Sequence, residues 1–573
     1  MSGAQVRRRA VRGLALALVA LLLPACAGLP TSGDVAVGLE LGESPDDVDV
    51  LPVASGPIAG AGPAEIVEGF LEAGITTSDN WATAREFLAP SLQRSWRPSA
   101  GVSVDAGPEA RTVTSDVAAD EADEAEEAEV QVLLELVASV DESGAYSDAP
   151  GDSSVPFSLE RQESGEWRIT QAPDGVVIDE ARFPDVFEGY SLQWFDARWS
   201  RLVPDMRWFP RRQSPATTVT QALVGGTPAE WLDPAVQTAF PADVQLAQDA
   251  VLITAQVAEV ALTRPAAGLD KTTLARMRTQ LQATLKGAGV NITQVRFSVD
   301  GRALDADLVE LAGTSPEPGT LVLKDGAFGR IVGDEIAPIP AVSAQILAMP
   351  PPIRSIDVAA DDATAAVMLD DGHVYLVGKD SRDELDARPG LIQPSLDPYG
   401  YVWSVPAGAP QAVQAIGADV VAHAVAGAWP SASSISDLRV SADGARVAAV
   451  VVVGGQRWVA VAAVVRDDAG VPTELGELRP LRQLTESTTG LVWLGADRLA
   501  VLTASTAPRL IVQPVGGPGT AESAPSDAAE VAGARTAAGV RILDATGQLF
   551  AHAGSAWREV TEGVSVLATR AGE

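Results

Sequence analysis

Leu438-Arg439-Val440-Ser441-Ala442-Asp443-Gly444-Ala445-Arg446-Val447-Ala448-Ala449-Val450 sets two apolar runs around a Ser-Ala-Asp-Gly reversal. Valine-rich flanks favour strands, and Asp-Gly supplies the tight turn that joins antiparallel neighbours. The same order of strand, acidic turn and strand recurs in Ile356 to Leu369, Gln393 to Trp403 and Val492 to Val501. With Asp361, Asp397, Asp443 and Asp497 as markers the intervals are 36, 46 and 54 residues, around the ~40–50 of a propeller blade. Asp370-Asp371-Gly372 and Ala545-Thr546-Gly547 add further hairpin turns, and helical periodicity nearly disappears after about residue 320. The expectation for residues 316–573 is an all-β, propeller-like domain of about five to seven blades. A pair of β-sandwiches is the alternative, and without a repeated Trp-Asp signature the WD40 class has no support.

The block before it, residues 186–315, alternates strand and helix. Ser191 to Phe195 and Leu202 to Phe209 predict a hairpin, Val219 to Leu223 a helix, and Val251 to Leu262 a strand. Asp270 can cap a helix with Leu274, Met277, Leu281 and Leu285 on one face, closed by Gly287. Val290 to Val299 then form a strand ending at Asp300-Gly301. This is a compact α/β domain. Gly225-Gly226-Thr227-Pro228 invites comparison with a phosphate loop, but no Lys-Ser/Thr follows at the required spacing, and a helix stop explains it.

Residues 57–185 place helices before strands, an α+β order. Pro63 starts a helix with Ile66, Val67, Phe70 and Leu71 inward; Asn80 can cap a second with Trp81, Ala84, Phe87 and Leu88 inward. Strands follow at Val130 to Val140, Ser154 to Leu159 and Trp167 to Thr170. Helices followed by hairpins resemble the cone-shaped NTF2-like fold. The run Asp116 to Glu129 has eight acids but neither Gly nor Asn to turn a calcium loop, so it is expected to be an exposed acidic loop.

The first 56 residues carry a different signal. Arg7, Arg8, Arg9 and Arg12 precede an apolar run that ends in Leu23-Pro24-Ala25-Cys26, the order of a signal peptide. The run is shorter than the ~20 apolar residues needed to span a bilayer, so residues 1–25 are expected to be removed. Cys26, the only cysteine, sits where a bacterial lipobox places the thiol that receives a diacylglyceryl group, with a further acyl chain on the new amino terminus. Two chains matter because one gives only marginal membrane binding. Residues 26–56, rich in Gly, Pro, Asp and Ser, then form a lipidated tether that holds the rest on the extracytoplasmic side.

Without residues 1–25, which hold four arginines and no acid, 37 basic residues face 76 acidic ones, a formal charge of −39. Phosphate backbones are bound by Lys and Arg displacing counterions, so nucleic acid is not an expected partner. With one cysteine no internal disulfide forms. His373, His423 and His552 lack metal-ligand spacing, and no Gly-x-Ser-x-Gly elbow is present. No catalytic, metal or cofactor-binding residue is therefore assigned, and the chain is not expected to be an enzyme; carboxylate pairs for a wall glycosidase are too numerous to single one out.

Cys26-Ala27-Gly28-Leu29-Pro30-Thr31-Ser32-Gly33, Glu65 to Leu71, Trp231-Leu232 with Ala239-Phe240-Pro241, Pro394 to Asp397 and Ser441 to Gly444 stand in this order along the chain. With them the whole order resembles the LpqB family of actinobacterial lipoproteins, and residues 186–315 are similar to the GerMN domain of sporulation and envelope proteins. The resemblance implies a membrane-anchored accessory lipoprotein that contacts the sensor domain of the MtrB histidine kinase of the MtrA/MtrB two-component system, affecting cell-wall metabolism and division. Only Cys26 carries over as a functional position. The alternative is an envelope scaffold or ligand sensor holding a wall fragment or other small molecule in the NTF2-like cone or the propeller mouth, without a kinase partner.

Overall fold

Between Glu127 and Glu135 every second residue is buried, and that alternation builds the longest hairpin of the molecule, Glu127–Asp141 against Tyr146–Arg161. A computed structural model describes residues 54–118, 122, 124–211, 214–313, 319–350, 352–554 and 556–572. Cys26, the signal segment 1–25 and most of the tether lie outside these residues. The hairpin is the centre of a six-stranded, largely antiparallel sheet, with Gly101–Asp105 and Val176–Asp179 as its one parallel pair. Helix Pro63–Ala73, entered through a proline whose missing N–H costs nothing at the first turn, lays Ile66, Val67, Phe70 and Leu71 on that sheet. Phe70 meets Trp96 and Phe157 at centroid distances of 5.2 and 5.9 Å.

Two local expectations fail here. The strand starts at Glu127, so the end of the acidic run is the solvent face of a strand, Glu127 and Glu129 alternating with buried Ala128 and Val130. Asn80 does not cap the second helix, Ser78–Arg85, because Asp79, Asn80 and Trp81 all have φ near +50° inside it. Phe87 and Leu88 lie past its end. There the backbone bonds to the sheet edge, Ile169 N–H donating to Phe87 O at 3.0 Å and Ala89 N–H to Ile169 O at 2.8 Å. Trp81 is still buried, its Nε1 donating to Gly74 O at 2.9 Å.

The middle domain begins with Phe187–Asp196 paired to Leu202–Pro210. A second sheet pairs Val257–Ala261 in parallel with Gln294–Val299, the crossover being helix Lys271–Gly287. Asp270 caps that helix as its sequence requires, accepting from Thr273 N–H at 2.9 Å. Leu274, Met277, Leu281 and Leu285 pack with Trp194, Phe195 and Phe297 in one core. The run Val251 to Leu262 is a tight hairpin, Leu252–Thr254 and Val257–Ala261, because Ala255 and Gln256 turn at φ 50° and 61°.

From Leu321 onward six blades surround one axis. Their innermost strands are Ile353–Val358, Ser395–Leu396, Ala432–Val440, Ser487–Leu494, Ala528–Ala532 and Val564–Arg570, each beside the next. Val564–Arg570 closes the ring: it pairs antiparallel with Leu321–Lys324 in its own blade and parallel with Ile353–Val358 of the next. Closure of this kind removes the exposed edge that a row of open sheets would leave.

The acidic turns that mark the blades are not simply solvated. Asp397 pairs with Arg466 at 2.8 Å and accepts from Trp403 Nε1 at 3.0 Å. Asp443 pairs with Arg446, which is fully buried and lies 5.0 Å from the Trp493 ring centroid. These turns face the middle domain. Tyr399 Oη donates to Asp196 Oδ2 at 2.8 Å, Arg446 Nη1 to Pro204 O at 3.4 Å, and Ser191 Oγ to Asp497 Oδ2 at 3.0 Å.

Candidate functional site: a cleft where three domains meet

Three loops, one from each domain, surround a cleft of about 710 Å³. The first is the tip of the long hairpin, where Asp141 Oδ1 accepts from Ser143 N–H at 2.8 Å and Ala145 N–H at 3.0 Å. Gly144 turns it at φ +85°; a Cβ there would lie 2.8 Å from Trp208 O, so only glycine lets the tip reach the middle domain. The second loop, Thr227 to Asp233, follows helix Pro215–Val224. A Cβ on Gly226 would sit 2.0 Å from Ala222 O, so the Gly-Gly pair is a helix stop with close backbone approach, not a phosphate cradle. The third loop, Glu477 to Pro480, leads into the blade strand Arg479–Leu484.

One buried ion pair fastens the first two of these loops. Arg207 Nη2 bonds Asp205 Oδ2 at 2.7 Å, and the same guanidinium donates to Ser143 O at 3.2 Å and Thr227 O at 3.3 Å. Asp205 Oδ2 also accepts from Ala229 N–H at 2.9 Å and Trp194 Nε1 at 3.2 Å. Arg479 is placed differently. Its Nη2 donates to Tyr146 O and, at 3.1 Å, to Ser147 Oγ, and its guanidinium lies 5.7 Å from the Trp231 ring centroid. No carboxylate stands within 4.0 Å of it among the described residues. Burial pulls its pKa below the usual arginine value, but a guanidinium stays charged.

The rim is acidic. Glu230, Asp233 and Glu477 are exposed, and their carboxylates have no ion pair or hydrogen bond among the described residues. Behind the cleft, burial pushes Asp148 up to about 6 against the pull of Arg482 and Arg479, and it pushes the Tyr146 phenol above its usual range. Aromatic and apolar surface from Trp231, Leu478, Pro228 and Pro480 completes the lining.

The places singled out in the sequence lie elsewhere. Cys26 is outside the described residues. The N-terminal domain has an apolar pocket of about 190 Å³ beside Phe70, Trp96 and Phe157. At one mouth of the propeller Ala571 N–H donates to Val358 O at 2.8 Å and Gly572 bridges to Ser441, so residues 570–572 run across it. The histidines are apart: His373 sits beside Glu384, His423 against Tyr401, and His552 against Trp557. No group of three or more potential metal ligands occurs among the described residues. Sequence reasoning missed the Arg479 and Trp231 pair, because no local pattern joins two residues from different domains.

Residues 56–184 match the family described as "Lipoprotein LpqB, N-terminal domain", residues 191–305 that described as "Sporulation and spore germination", and residues 326–568 that described as "Lipoprotein LpqB beta-propeller domain". Lipoprotein LpqB of Streptomyces coelicolor is 29% identical over 562 residues, spanning 87% of this chain and 86% of that protein. Lipoprotein LpqB of Streptomyces avermitilis is 27% identical over 544 residues, spanning 87% of each. Among solved structures, TolB from Acinetobacter baumannii aligns with a TM-score of 0.33 and 13% identity over 44% of this chain and 66% of that one.

Proposed function

Because the chain belongs to the lipoprotein LpqB family, we propose that it is held on the extracytoplasmic face of the cell membrane by acyl chains on Cys26 and acts there through protein contact. Its partner in this reading is the sensor domain of a membrane histidine kinase of the MtrB type, and the outcome is altered control of wall metabolism and division. Among the described residues no helix is long and apolar enough to cross a membrane.

One observation carries the contact mechanism: the middle domain is bonded to the propeller at Tyr399 and Arg446, in blade turns held by the buried pairs Asp397–Arg466 and Asp443–Arg446. Such a body can present a surface of defined shape. A surface of that kind shifts a sensor between conformations by the difference in its affinity for them, with no chemistry of its own.

Crosslinking in intact cells, followed by detergent extraction and mass spectrometry, compares wild type with Cys26→Ser. Recovery of a kinase sensor domain with the wild type, and much less with the variant, supports membrane-confined contact. Recovery of wall synthases alone, or of no protein, with the anchor intact overturns it.

A further inference from the structure

Arg479 is a half-buried cation that lines an open cleft, with two of its three nitrogens free of any hydrogen-bond partner among the described residues. Its remaining nitrogen, Nη2, is held by Tyr146 O and Ser147 Oγ, so the guanidinium is oriented before any ligand arrives. The other buried cation of the cleft, Arg207, is already neutralised by Asp205. With Nη2 engaged, the guanidinium still offers a carboxylate or phosphate its charge and a charge-assisted hydrogen bond from Nη1 or Nε, one edge at a time rather than as a two-bond fork. The rim decides between them: Glu230, Asp233 and Glu477, exposed and unpaired, repel a phosphate dianion and attract an ammonium group. The ring of Trp231, 5.7 Å from the Arg479 guanidinium, and Leu478 share the lining with these charges and offer a surface for small apolar side chains. The volume, about 710 Å³, lies within the ~300–1,000 Å³ of small-ligand sites, which favour domain junctions.

We propose that this cleft binds a short zwitterionic peptide, its carboxylate on Arg479, its ammonium among Glu230, Asp233 and Glu477, and its side chains over Trp231 and Leu478. The site does not depend on a kinase being the partner. Because its walls come from three domains, ligand is bound only by the docked arrangement, and binding stabilises that arrangement by mass action. Peptide in the surroundings of the protein would thereby set how firmly its three domains hold together.

The full-length protein in detergent is titrated with alanyl-alanine, with its C-terminal amide and with its N-acetyl derivative, by calorimetry and by melting temperature. Alanyl-alanine is expected to bind and to raise the melting temperature, and each blocked derivative to bind about tenfold more weakly or worse. Glu477→Gln, at an exposed position, is expected to weaken binding with an unchanged melting temperature of the free protein, and Arg479→Gln to abolish binding. If Arg479→Gln lowers the melting temperature of the free protein by loosening Tyr146 and Ser147, the comparison of acid with amide on wild type decides. Equal binding of all three probes, no binding of alanyl-alanine at millimolar concentration, or equal binding by wild type and both variants overturns the proposal.

Discussion

Tyr399 donates its hydroxyl to Asp196 Oδ2 at 2.8 Å, joining a blade turn to the middle domain. Three guanidiniums surround the same ring, those of Arg466, Arg201 and Arg198 at 4.3, 4.8 and 5.9 Å from its centroid. Burial and the Asp196 charge push the phenol up to about 12, so it remains a donor at any ordinary pH. Asp196 in turn holds the turn of its own hairpin, accepting from Ser200 N–H at 2.6 Å and Arg201 N–H at 2.7 Å.

Tyr399→Phe keeps the stacked ring and removes one charge-assisted hydrogen bond, an expected cost of about 1.5–3 kcal/mol. Tyr399→Ala removes the ring as well and should cost more, about 3–5 kcal/mol. Calorimetry checks this: the alanine variant should unfold in separated or broadened transitions as the middle domain and propeller uncouple. A single transition at the wild-type temperature would show that this contact does not couple them.

Much of the propeller was legible because its signals are local. Leu438 to Val450 folds as strand, turn and strand since valines and an Asp-Gly reversal act within thirteen residues. Its closure was not legible, because pairing Leu321–Lys324 with Val564–Arg570 depends on residues at opposite ends of the domain. Asp397, Asp443 and Asp497 were recognisable as turn residues, yet the bonds of Asp397 to Arg466 and of Asp497 to Ser191 come from tertiary contacts that no spacing encodes; only Asp443 finds its partner locally, in Arg446 three residues on. The cleft illustrates the same limit. Gly225-Gly226 reads as a helix stop from sequence, but that it delivers Trp231 to Arg479 follows only from the docking of domains. Asn80 failed as a cap for a local reason, its own φ of 56°.

Arg446→Ala should be among the most damaging single substitutions in the propeller. It leaves the Asp443 carboxylate, 2% exposed, without its cation, and it strips one face from Trp493. Breaking one side of a buried pair costs about 3–5 kcal/mol. The double variant Asp443→Asn with Arg446→Met should recover part of that loss, since no unpaired charge remains. Denaturant melts of wild type, Arg446→Met, Asp443→Asn and the double variant form the cycle, and additive losses would sink the idea that the two residues act as a pair.

Thr569→Val tests the ring closure. Thr569 Oγ1 donates to Asp357 Oδ1 at 2.9 Å, and Leu396 N–H donates to Asp357 Oδ2 at 2.7 Å, so three blades meet on one buried carboxylate. Burial raises the pKa of Asp357, while Arg439 and those two donors hold it down. Valine fills the same space without the donor, and the expected cost is about 1–3 kcal/mol for a buried acceptor left short. Hydrogen exchange should show the loss first in Ile353–Val358 and Val564–Arg570; uniform loosening of all six blades would speak against a closure-specific role.

Glu530 gives the closure a pH dependence. It lies on the innermost strand Ala528–Ala532, and its Oε2 accepts from Leu567 N–H of the closing strand at 2.9 Å. Burial raises its pKa from 4.5 to about 7, the Leu567 bond opposing in part. Because the folded form holds this proton more tightly than the unfolded chain, the group favours folding fully below about pH 4.5, and that contribution is lost as pH rises towards 7. The span corresponds to roughly 3 kcal/mol. Asp148, raised to about 6, acts in the same direction, so the informative quantity is the difference between wild type and Glu530→Gln. The amide keeps an acceptor for Leu567 and carries no charge; the variant should match wild type near pH 4.5 and exceed it in stability at pH 8. Urea melts at half-unit pH steps measure both slopes, and parallel curves across this range would mean that Glu530 titrates in the folded protein as it does in the unfolded chain.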